Sequence, residues 1–300
     1  MDGFSHQFAM ILTSIEFSLF VLVALHSNVL CVPPWNPEIN EWNSNTNHTS
    51  YDQIDELEED RIFGGEYAMQ NQFPFMAVVH QLRGNGRISQ CGGTIISSRW
   101  VLTAGHCVAS GPHQFLVVFG TRDKTGIAYN FYRGPGVAML TTQAVLHPGY
   151  RTTMNDIALL HMPQNIPFGN SIRPIQFAGN RYADETHADK KGMVIGWGKD
   201  GPTGTGTKRL KYTAVPIISN YECSMYWPIT ESHVCTSAAY EQDACQGDSG
   251  GPLIVMKNRK PLQIGIVSYG DGNCPSSKPG VFTRVSSFID WIEEVTNIRL

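Results

Sequence analysis

The chain has 300 residues and a formal net charge of −4, and 42% of its residues are hydrophobic while only 16% are charged. This hydrophobic content can bury a full core, which excludes a chain that is disordered throughout. The 29 glycines and 17 prolines predict many tight turns and argue against a helical bundle, and the lack of a basic excess argues against nucleic acid as a partner.

The charged residues are distributed unevenly on the two sides of Arg61. Residues 1–61 contain ten acidic side chains and one basic one, a balance of −9, whereas residues 62–300 contain 21 basic and 16 acidic ones, a balance of +5. We therefore divide the chain into a signal peptide (1–31), an acidic propeptide (32–61) and one large domain (62–300).

An apolar segment near the N terminus predicts export. Its strongest run, Phe17–Leu25, has the length of a signal-peptide hydrophobic region and is shorter than the roughly 20 residues that a spanning helix needs. The pattern allows removal after Ser27 or after Cys31. The alternative is a membrane-tethered protein in which residues 8–25 are retained. We expect a secreted, extracellular product.

Residues 32–61 are expected to form a solvated linker. The sequon at Asn47 predicts N-glycosylation in an exported, exposed segment. Six of the nine residues at 52–60 are acidic, and Arg61 follows them directly before Ile62. A charge run of this kind is usually a disordered tail, and here it ends at the basic residue that precedes the domain.

Short apolar runs separated by Gly, Pro, Asn and Asp predict an all-β domain after Arg61. The clearest predicted strands are Phe75–His80, Thr94–Ile96, Leu116–Phe119, Ala144–Leu146, Ile157–Leu160, Leu253–Met256 and Leu262–Tyr269. Helical spacing of apolar residues appears only at the C terminus, where Ser287 is the expected cap. The pattern fits one large β domain or two barrels that share a cleft.

Seven cysteines agree with an exported protein. Six of them lie in the domain, at positions 91, 107, 223, 235, 245 and 274, an even set typical of disulfides in an oxidising compartment. Spacing alone leaves their pairing open. Cys31 either leaves with the signal segment or remains as a free or intermolecular thiol. We predict no metal site, because the chain has neither a Cys-x-x-Cys pair nor a His/Cys cluster with zinc spacing.

Three short segments carry groups for nucleophilic catalysis. Ser249 lies among glycines, where tight turns can point consecutive backbone N–H groups at one place. His106 follows an apolar strand and precedes a cysteine, and Asp156 stands at the start of a buried strand. A serine needs an adjacent base to become a nucleophile, and the base needs an acid to orient it.

From Ile62 onward the chain resembles the chymotrypsin/trypsin family of serine proteases. The resemblance rests on Gly-Asp-Ser-Gly-Gly-Pro around Ser249, Ala-Gly-His-Cys around His106 and Asn-Asp-Ile at Asp156, in the family's order His, Asp, Ser. It implies an all-β fold of two six-stranded antiparallel β-barrels, with the active site in the cleft between them and a C-terminal helix. It also implies three disulfides: Cys91–Cys107, Cys223–Cys235 and Cys245–Cys274.

The family's well-known triad then implies a covalent mechanism that needs no cofactor. His106 would take the proton of Ser249 as the serine attacks a peptide carbonyl, and Asp156 would orient the imidazole and stabilise its charged form. The backbone N–H groups of Gly247 and Ser249 would form the oxyanion hole.

The resemblance also implies the substrate class. Asp243 matches the base of the primary specificity pocket, where a buried carboxylate favours Arg or Lys before the scissile bond. Gly270 and Gly280 match the pocket walls, and Ser268 would help to bind the substrate backbone. We therefore expect polypeptide substrates with Arg or Lys before the scissile bond.

Activation is implied by the start of the domain. Cleavage after Arg61 would free the amine of Ile62, which in this family pairs with the acid before the serine, here Asp248. We therefore expect a nearly inactive zymogen, an upstream activating protease, and inhibition by serpins or other protease inhibitors.

One alternative class is a catalytically weak protease-like protein that acts as a binding partner or cofactor. Such a protein usually has one of its three catalytic residues replaced, and none is replaced here. Two smaller departures from the family are Gly105, in place of the usual alanine before the histidine, and Tyr269, in place of a common tryptophan.

Overall fold

The computed structural model of the chain describes residues 65–179, 182, 185–199, 201, 204, 206–238, 244–273 and 276–299. Several predicted features lie outside these residues: the signal segment, Cys31, Asn47, the acidic run at 52–60, Arg61, Ile62, Asp243 and Cys274.

Strands dominate the described part of the chain. They are β1 (Glu66–Tyr67), β2 (Met76–Leu82), β3 (Ile88–Ile95), β4 (Trp100–Thr103), β5 (Phe115–Phe119), β6 (Val137–Thr141), β7 (Ala144–Leu146), β8 (Ala158–His161), β9 (Gln176–Phe177), β10 (Lys191–Gly196), β11 (Lys211–Ile218), β12 (His233–Thr236), β13 (Pro252–Lys257), β14 (Lys260–Tyr269) and β15 (Gly280–Arg284). Two helices, α1 (Asn220–Ser224) and α2 (Ile289–Thr296), and two 3-10 turns, Gly105–Cys107 and Val285–Phe288, accompany them.

The first sheet is built from β2 to β8 in the order β6-β5-β2-β3-β4-β8-β7, and every pair in it is antiparallel. Its two end strands, β6 and β7, are consecutive in the chain. The backbone N–H of His161 in β8 donates to the carbonyl of Gln143 between them, at 2.9 Å. The sheet therefore curls round its own core as a half-barrel.

The second sheet closes into a barrel. Its order is β1-β11-β10-β13-β14-β15-β12, and β12 also pairs with β11, so that six strands form a ring. The inner face is fully buried and apolar, with Val215, Leu253 and Phe282 at its centre. The all-β fold predicted from the sequence, with two barrel units and a C-terminal helix, is confirmed.

The two barrel units meet along β3. The backbone N–H of Gly92 in β3 donates to the carbonyl of Ser249 at 2.8 Å, and Thr94 donates to the side chain of Gln263 in β14 at 2.8 Å. These bonds fix the segment that contains Ser249 against the sheet that carries His106 and Asp156.

The C-terminal helix packs on the core of the first sheet rather than on the second barrel that precedes it in the chain. Ile289 and Ile292 are fully buried in the cluster that contains Leu102 and Leu159. The last turns of the chain thus complete a core whose strands lie more than one hundred residues earlier.

The predictions for the strands and the C-terminal helix hold, with one local exception in each. The predicted strand Thr94–Ile96 is part of a longer one, since β3 begins at Ile88, includes Gly92 and Gly93, and ends at Ile95. Its glycines allow close packing on β4: a Cβ on Gly93 would lie 2.9 Å from Val101 Cγ1. The expectation that Ser287 caps the C-terminal helix is wrong. Ser287 lies inside the 3-10 turn, and α2 begins at Ile289 without a side-chain cap.

Two disulfides join described cysteines. Cys91 in β3 is bonded to Cys107, and Cys223 in α1 is bonded to Cys235 in β12. These are two of the three pairs that the family resemblance implies. Cys245 is also disulfide-bonded.

Within the described residues, no helix is long and apolar enough to cross a membrane.

Candidate active site

His106 is presented by a short, tethered turn. Strand β4 ends at Thr103, the chain turns through the 3-10 segment, and the disulfide of Cys107 to Cys91 fixes that segment to β3. The His106 side chain remains 31% exposed. Although Cys91, His106 and Cys107 have ligand atoms within 4.8 Å of one another, the two sulfurs are bonded to each other and are not thiolate ligands for a metal.

Asp156 is buried, with a side chain only 2% exposed. The residue before it, Asn155, has a left-handed backbone (φ 51°), and its side-chain amide donates to the Gly149 carbonyl at 2.8 Å. Asparagine tolerates this conformation better than most residues. The turn delivers the Asp156 carboxylate to the end of β8 that faces His106.

Two hydrogen bonds connect Asp156 to His106. The backbone N–H of His106 donates to Oδ1 at 2.7 Å, and Nδ1 lies 2.8 Å from Oδ2. An ionised carboxylate can only accept, so Nδ1 carries the proton. The other ring nitrogen, Nε2, is then the basic one.

Further hydroxyl groups hold Asp156 from the second barrel. Ser268 Oγ in β14 donates to Oδ2 at 2.5 Å, and Thr283 Oγ1 in β15 donates to the Asp156 backbone carbonyl at 2.8 Å. Sequence reasoning assigned Ser268 to the substrate backbone and did not find Thr283. No sequence signal marked either side chain as a partner of Asp156, because both belong to strands of the other barrel.

The unusual glycine before His106 has a packing reason. A Cβ on Gly105 would lie 2.7 Å from Tyr150 Cδ2, 3.0 Å from Leu146 Cδ1 and 3.1 Å from Asp156 Oδ1. Contacts below 3 Å require a neighbour to move. The Tyr150 ring therefore occupies the space that an alanine methyl group would need.

Ser249 lies in a loop pressed against the end of β4. A Cβ on the next residue, Gly250 (φ 78°), would lie 2.3 Å from Thr103 Oγ1 and 3.1 Å from the backbone nitrogen of Ala104. The serine is thus brought to the segment that carries His106. Within the described residues no hydrogen bond joins Ser249 Oγ to His106, and such bonds are often long before substrate binds.

Two backbone N–H groups of the serine loop are available for an anion. Gly247 has φ 104°, a conformation reserved for glycine. Neither its N–H nor that of Ser249 donates to another described residue. An oxyanion hole requires backbone N–H groups of this kind, which lie in one turn and have no other acceptor.

Asp248 points away from His106 into the second barrel. Its side chain is 1% exposed and accepts hydrogen bonds from the backbone of Gly198 at 2.7 Å and of Cys245 at 3.0 Å. A Cβ on Gly196 or Gly198 would lie 2.0 or 2.3 Å from its carboxylate oxygens, which explains the Gly-Trp-Gly sequence. Burial raises the pKa of Asp248 to about 6, although the two backbone donors and Lys124 lower it.

The predicted pocket walls face each other. A Cβ on Gly270 would meet only the Cα of Gly280, at 3.9 Å. Beside them, the rings of Tyr269 and Trp227 pack edge to face with centroids 5.7 Å apart. Neither segment carries a side chain where the two approach each other, and Asp243, the predicted base of the pocket, lies outside the described residues.

Comparisons with known proteins agree with this geometry. The protein family described as Trypsin matches residues 62–292. Serine protease SP24D of Anopheles gambiae is 32% identical over 237 residues, which cover 78% of this chain and 80% of that protein. Collagenase of Hypoderma lineatum is 32% identical over 252 residues, which cover 82% of this chain and 91% of that protein.

A solved structure, that of HL collagenase, is similar in fold. Its sequence is 31% identical, the TM-score is 0.70, and the match covers 79% of this chain and 100% of that one. The present chain therefore belongs to the trypsin family of serine proteases, and it is a serine endopeptidase.

Proposed function

We propose that the protein is a secreted zymogen which, once cleaved after Arg61, hydrolyses polypeptides after Arg or Lys with Ser249 as nucleophile, His106 as base and Asp156 as orienting acid. The observation that carries the proposal is the pair of hydrogen bonds from His106 to the buried Asp156. They leave Nε2 as the basic nitrogen of the ring.

The proposed reaction has two halves. His106 Nε2 takes the proton of Ser249 as the oxygen attacks the substrate carbonyl, and Asp156 stabilises the imidazolium that forms. The same proton then passes to the leaving amine, and an acyl-enzyme remains. Water, activated by His106, attacks the ester and releases the acid product and free Ser249.

The oxyanion of each tetrahedral intermediate would be bound by the N–H groups of Gly247 and Ser249. Support comes from their lack of other described acceptors and from the φ of 104° at Gly247. Each donor of this kind contributes about 3 kcal/mol to transition-state stabilisation. The reaction needs no metal or cofactor, since protein groups supply both the base and the anion site.

Specificity for Arg or Lys is proposed from Asp243, six positions before Ser249. A carboxylate at the bottom of a narrow pocket requires a cationic partner, because an unpaired buried charge is costly. The facing glycines at 270 and 280 support the proposal, since they leave room for a long side chain.

Activation is proposed to work through Asp248. Within the described residues, no cation lies within ion-pair distance of this buried carboxylate. The new amine of Ile62 would supply one and would fix the adjoining Gly247–Ser249 turn. An amine has a reference pKa near 8 and is charged at neutral pH.

Export and regulation complete the proposal. The apolar segment at 8–25, the sequon at Asn47 and the disulfides suit a secreted glycoprotein. The acids at 58–60 lie next to the scissile bond, so we propose a dedicated upstream protease rather than self-cleavage. Serpins or other protease inhibitors would control the cleaved enzyme.

Titration with an organophosphate probe tests the function directly. We expect labelling of Ser249 after cleavage at Arg61, loss of labelling in Ser249→Ala, and faster hydrolysis of arginyl than of phenylalanyl substrates. A correctly cleaved chain that neither labels nor hydrolyses would instead be a protease-like binding protein.

A further inference from the structure

The ammonium group of Lys124 is partly buried near the loop that contains Ser249. It lies in the segment between β5 and β6, and its ammonium donates to Gln90 Oε1 at 2.7 Å and to the Trp197 carbonyl at 3.4 Å. Burial lowers the pKa of Lys124, and the negative charge of Asp248 raises it. A partly buried ammonium held by neutral groups suggests that a nearby anion compensates it.

The anion connected to this ammonium is Asp248, since Lys124 binds the carbonyl of Trp197 and the next residue, Gly198, binds the Asp248 carboxylate. The two groups are not in direct contact, but each stabilises the charged form of the other. The positive charge of Lys124 lowers the pKa of Asp248, and the negative charge of Asp248 raises the pKa of Lys124; burial has the opposite effect on each group. His80, another titratable side chain near Lys124, is buried, and burial lowers its pKa to about 4. His80 is therefore neutral at pH 7, and Lys124 supplies the positive charge.

The groups that hold Lys124 also touch the oxyanion turn. Gln90 Nε2 lies 3.7 Å from the position that a Cβ of Gly247 would occupy, and the Trp197 carbonyl lies 3.8 Å from it. Trp197 is followed by Gly198, whose N–H binds the Asp248 carboxylate. One compact cluster thus connects the ammonium, the carboxylate and the turn that would bind the oxyanion.

We propose that Lys124 is a positioning residue, the internal counter-ion that holds Asp248 and the oxyanion turn in their catalytic arrangement before the Ile62 amine is formed. The proposal rests on the proposed activation at Arg61 and adds a consequence to it. The uncleaved chain keeps a low but measurable reactivity of Ser249, and that reactivity depends on Lys124.

The test compares rates of organophosphate labelling in uncleavable chains at pH 7. Arg61→Gln is the reference, Arg61→Gln with Lys124→Met removes the buried charge at similar volume, and Arg61→Gln with Lys208→Met is the control. Lys208 is exposed and adjoins the same segment, since its carbonyl accepts from the N–H of Lys124 at 3.0 Å. We expect the Lys124 variant to label about tenfold more slowly than the reference, because the ammonium no longer holds Gln90 and the Trp197 carbonyl beside the Gly247 turn, and a hydrogen bond from a charged group is a strong one. The control should label at the reference rate.

A second measurement separates positioning from folding. Lys124→Met with Arg61 retained is cleaved by immobilised trypsin, which supplies the Ile62 amine, and its labelling rate should then approach that of the cleaved wild type. Slow labelling after cleavage as well would mean a general structural role and would overturn the proposal. Equal rates in the uncleaved chains, or no labelling of the Arg61→Gln reference, would overturn it too.

The failure of the underlying activation model would look different. If cleavage changed the labelling rate of neither chain, Arg61 would not be an activation site, while the comparison between uncleaved variants would still report on Lys124.

Discussion

Ser268 Oγ donates a hydrogen bond of 2.5 Å to Oδ2 of Asp156, although the two residues are 112 positions apart and belong to different barrels. The same oxygen lies 2.8 Å from Nδ1 of His106. The acid of the proposed triad is therefore held between the barrels, and its orientation depends on how they pack.

Ser268→Ala should lower kcat while KM changes little. A hydrogen bond to a charged group contributes about 1.5–3 kcal/mol, and we expect part of that, about tenfold in kcat, to be lost because Asp156 can then rotate. Steady-state kinetics on an arginyl substrate will measure it, with the exposed Ser277→Ala as control. An unchanged kcat would show that the His106 contacts alone orient the acid.

Gly105→Ala should reduce both stability and activity, and a change at Tyr150 should restore part of the loss. The added methyl group meets the Tyr150 ring at 2.7 Å, and overpacking of this kind costs about 1–3 kcal/mol. Urea unfolding of Gly105→Ala, Tyr150→Ala and the double variant gives a thermodynamic cycle. Additive effects would contradict the contact.

The uncleaved chain should lose stability through Asp248 as the pH rises from about 4 to 6. Burial raises the pKa of this acid from 3.8 to about 6, so over that range the folded chain holds a proton that the unfolded chain releases. The predicted loss is about 3 kcal/mol. Unfolding free energies at pH 4 and pH 7 should show it in Arg61→Gln and not in Arg61→Gln with Asp248→Asn. Parallel pH profiles of the two chains would refute it.

Asp243→Ser should abolish the preference for basic residues. Removal of one partner from a buried ion pair costs about 3–5 kcal/mol, so kcat/KM for arginyl substrates should fall by two to three orders of magnitude, with little change for small apolar ones. Asp290→Asn in helix α2 is the control. A retained preference for arginine would place the specificity charge elsewhere.

Neutralising the acids before the proposed activation site should speed self-cleavage. Glu58→Gln, Glu59→Gln and Asp60→Asn together remove three negative charges beside Arg61, and a trace of active enzyme should then convert the chain faster than it converts the wild type. Gel analysis over time, with Asp52→Asn and Asp55→Asn as a distant control, will measure the rate. Equal rates would mean that the acids do not restrain cleavage.

The fold and the catalytic sequence segments could be predicted because their signals are local. Apolar strands such as β5 and β7 and the glycine-rich segment around Ser249 are visible in short stretches of sequence. The C-terminal helix was visible by its periodicity, but its start was not, because the 3-10 turn at Val285–Phe288 continues directly into it.

The supporting contacts could not be predicted, since they join residues far apart in the chain. Thr283 reaches the Asp156 carbonyl across 127 positions, and Lys124 reaches the Trp197 carbonyl across 73. Helix α1 was missed because it has only five residues, too few to show an apolar repeat. Its cap is a local signal, since Ser219 Oγ accepts from the Glu222 N–H at 3.1 Å, but a cap alone does not predict a helix.

The C-terminal helix has a consequence for synthesis of the protein. Because Ile289 and Ile292 belong to the core around Leu102 and Leu159, the sheet that carries His106 and Asp156 lacks part of its interior until α2 has been translated. A chain that stops before α2 therefore has an incomplete first barrel, and the sheet that supports His106 and Asp156 is not fully packed.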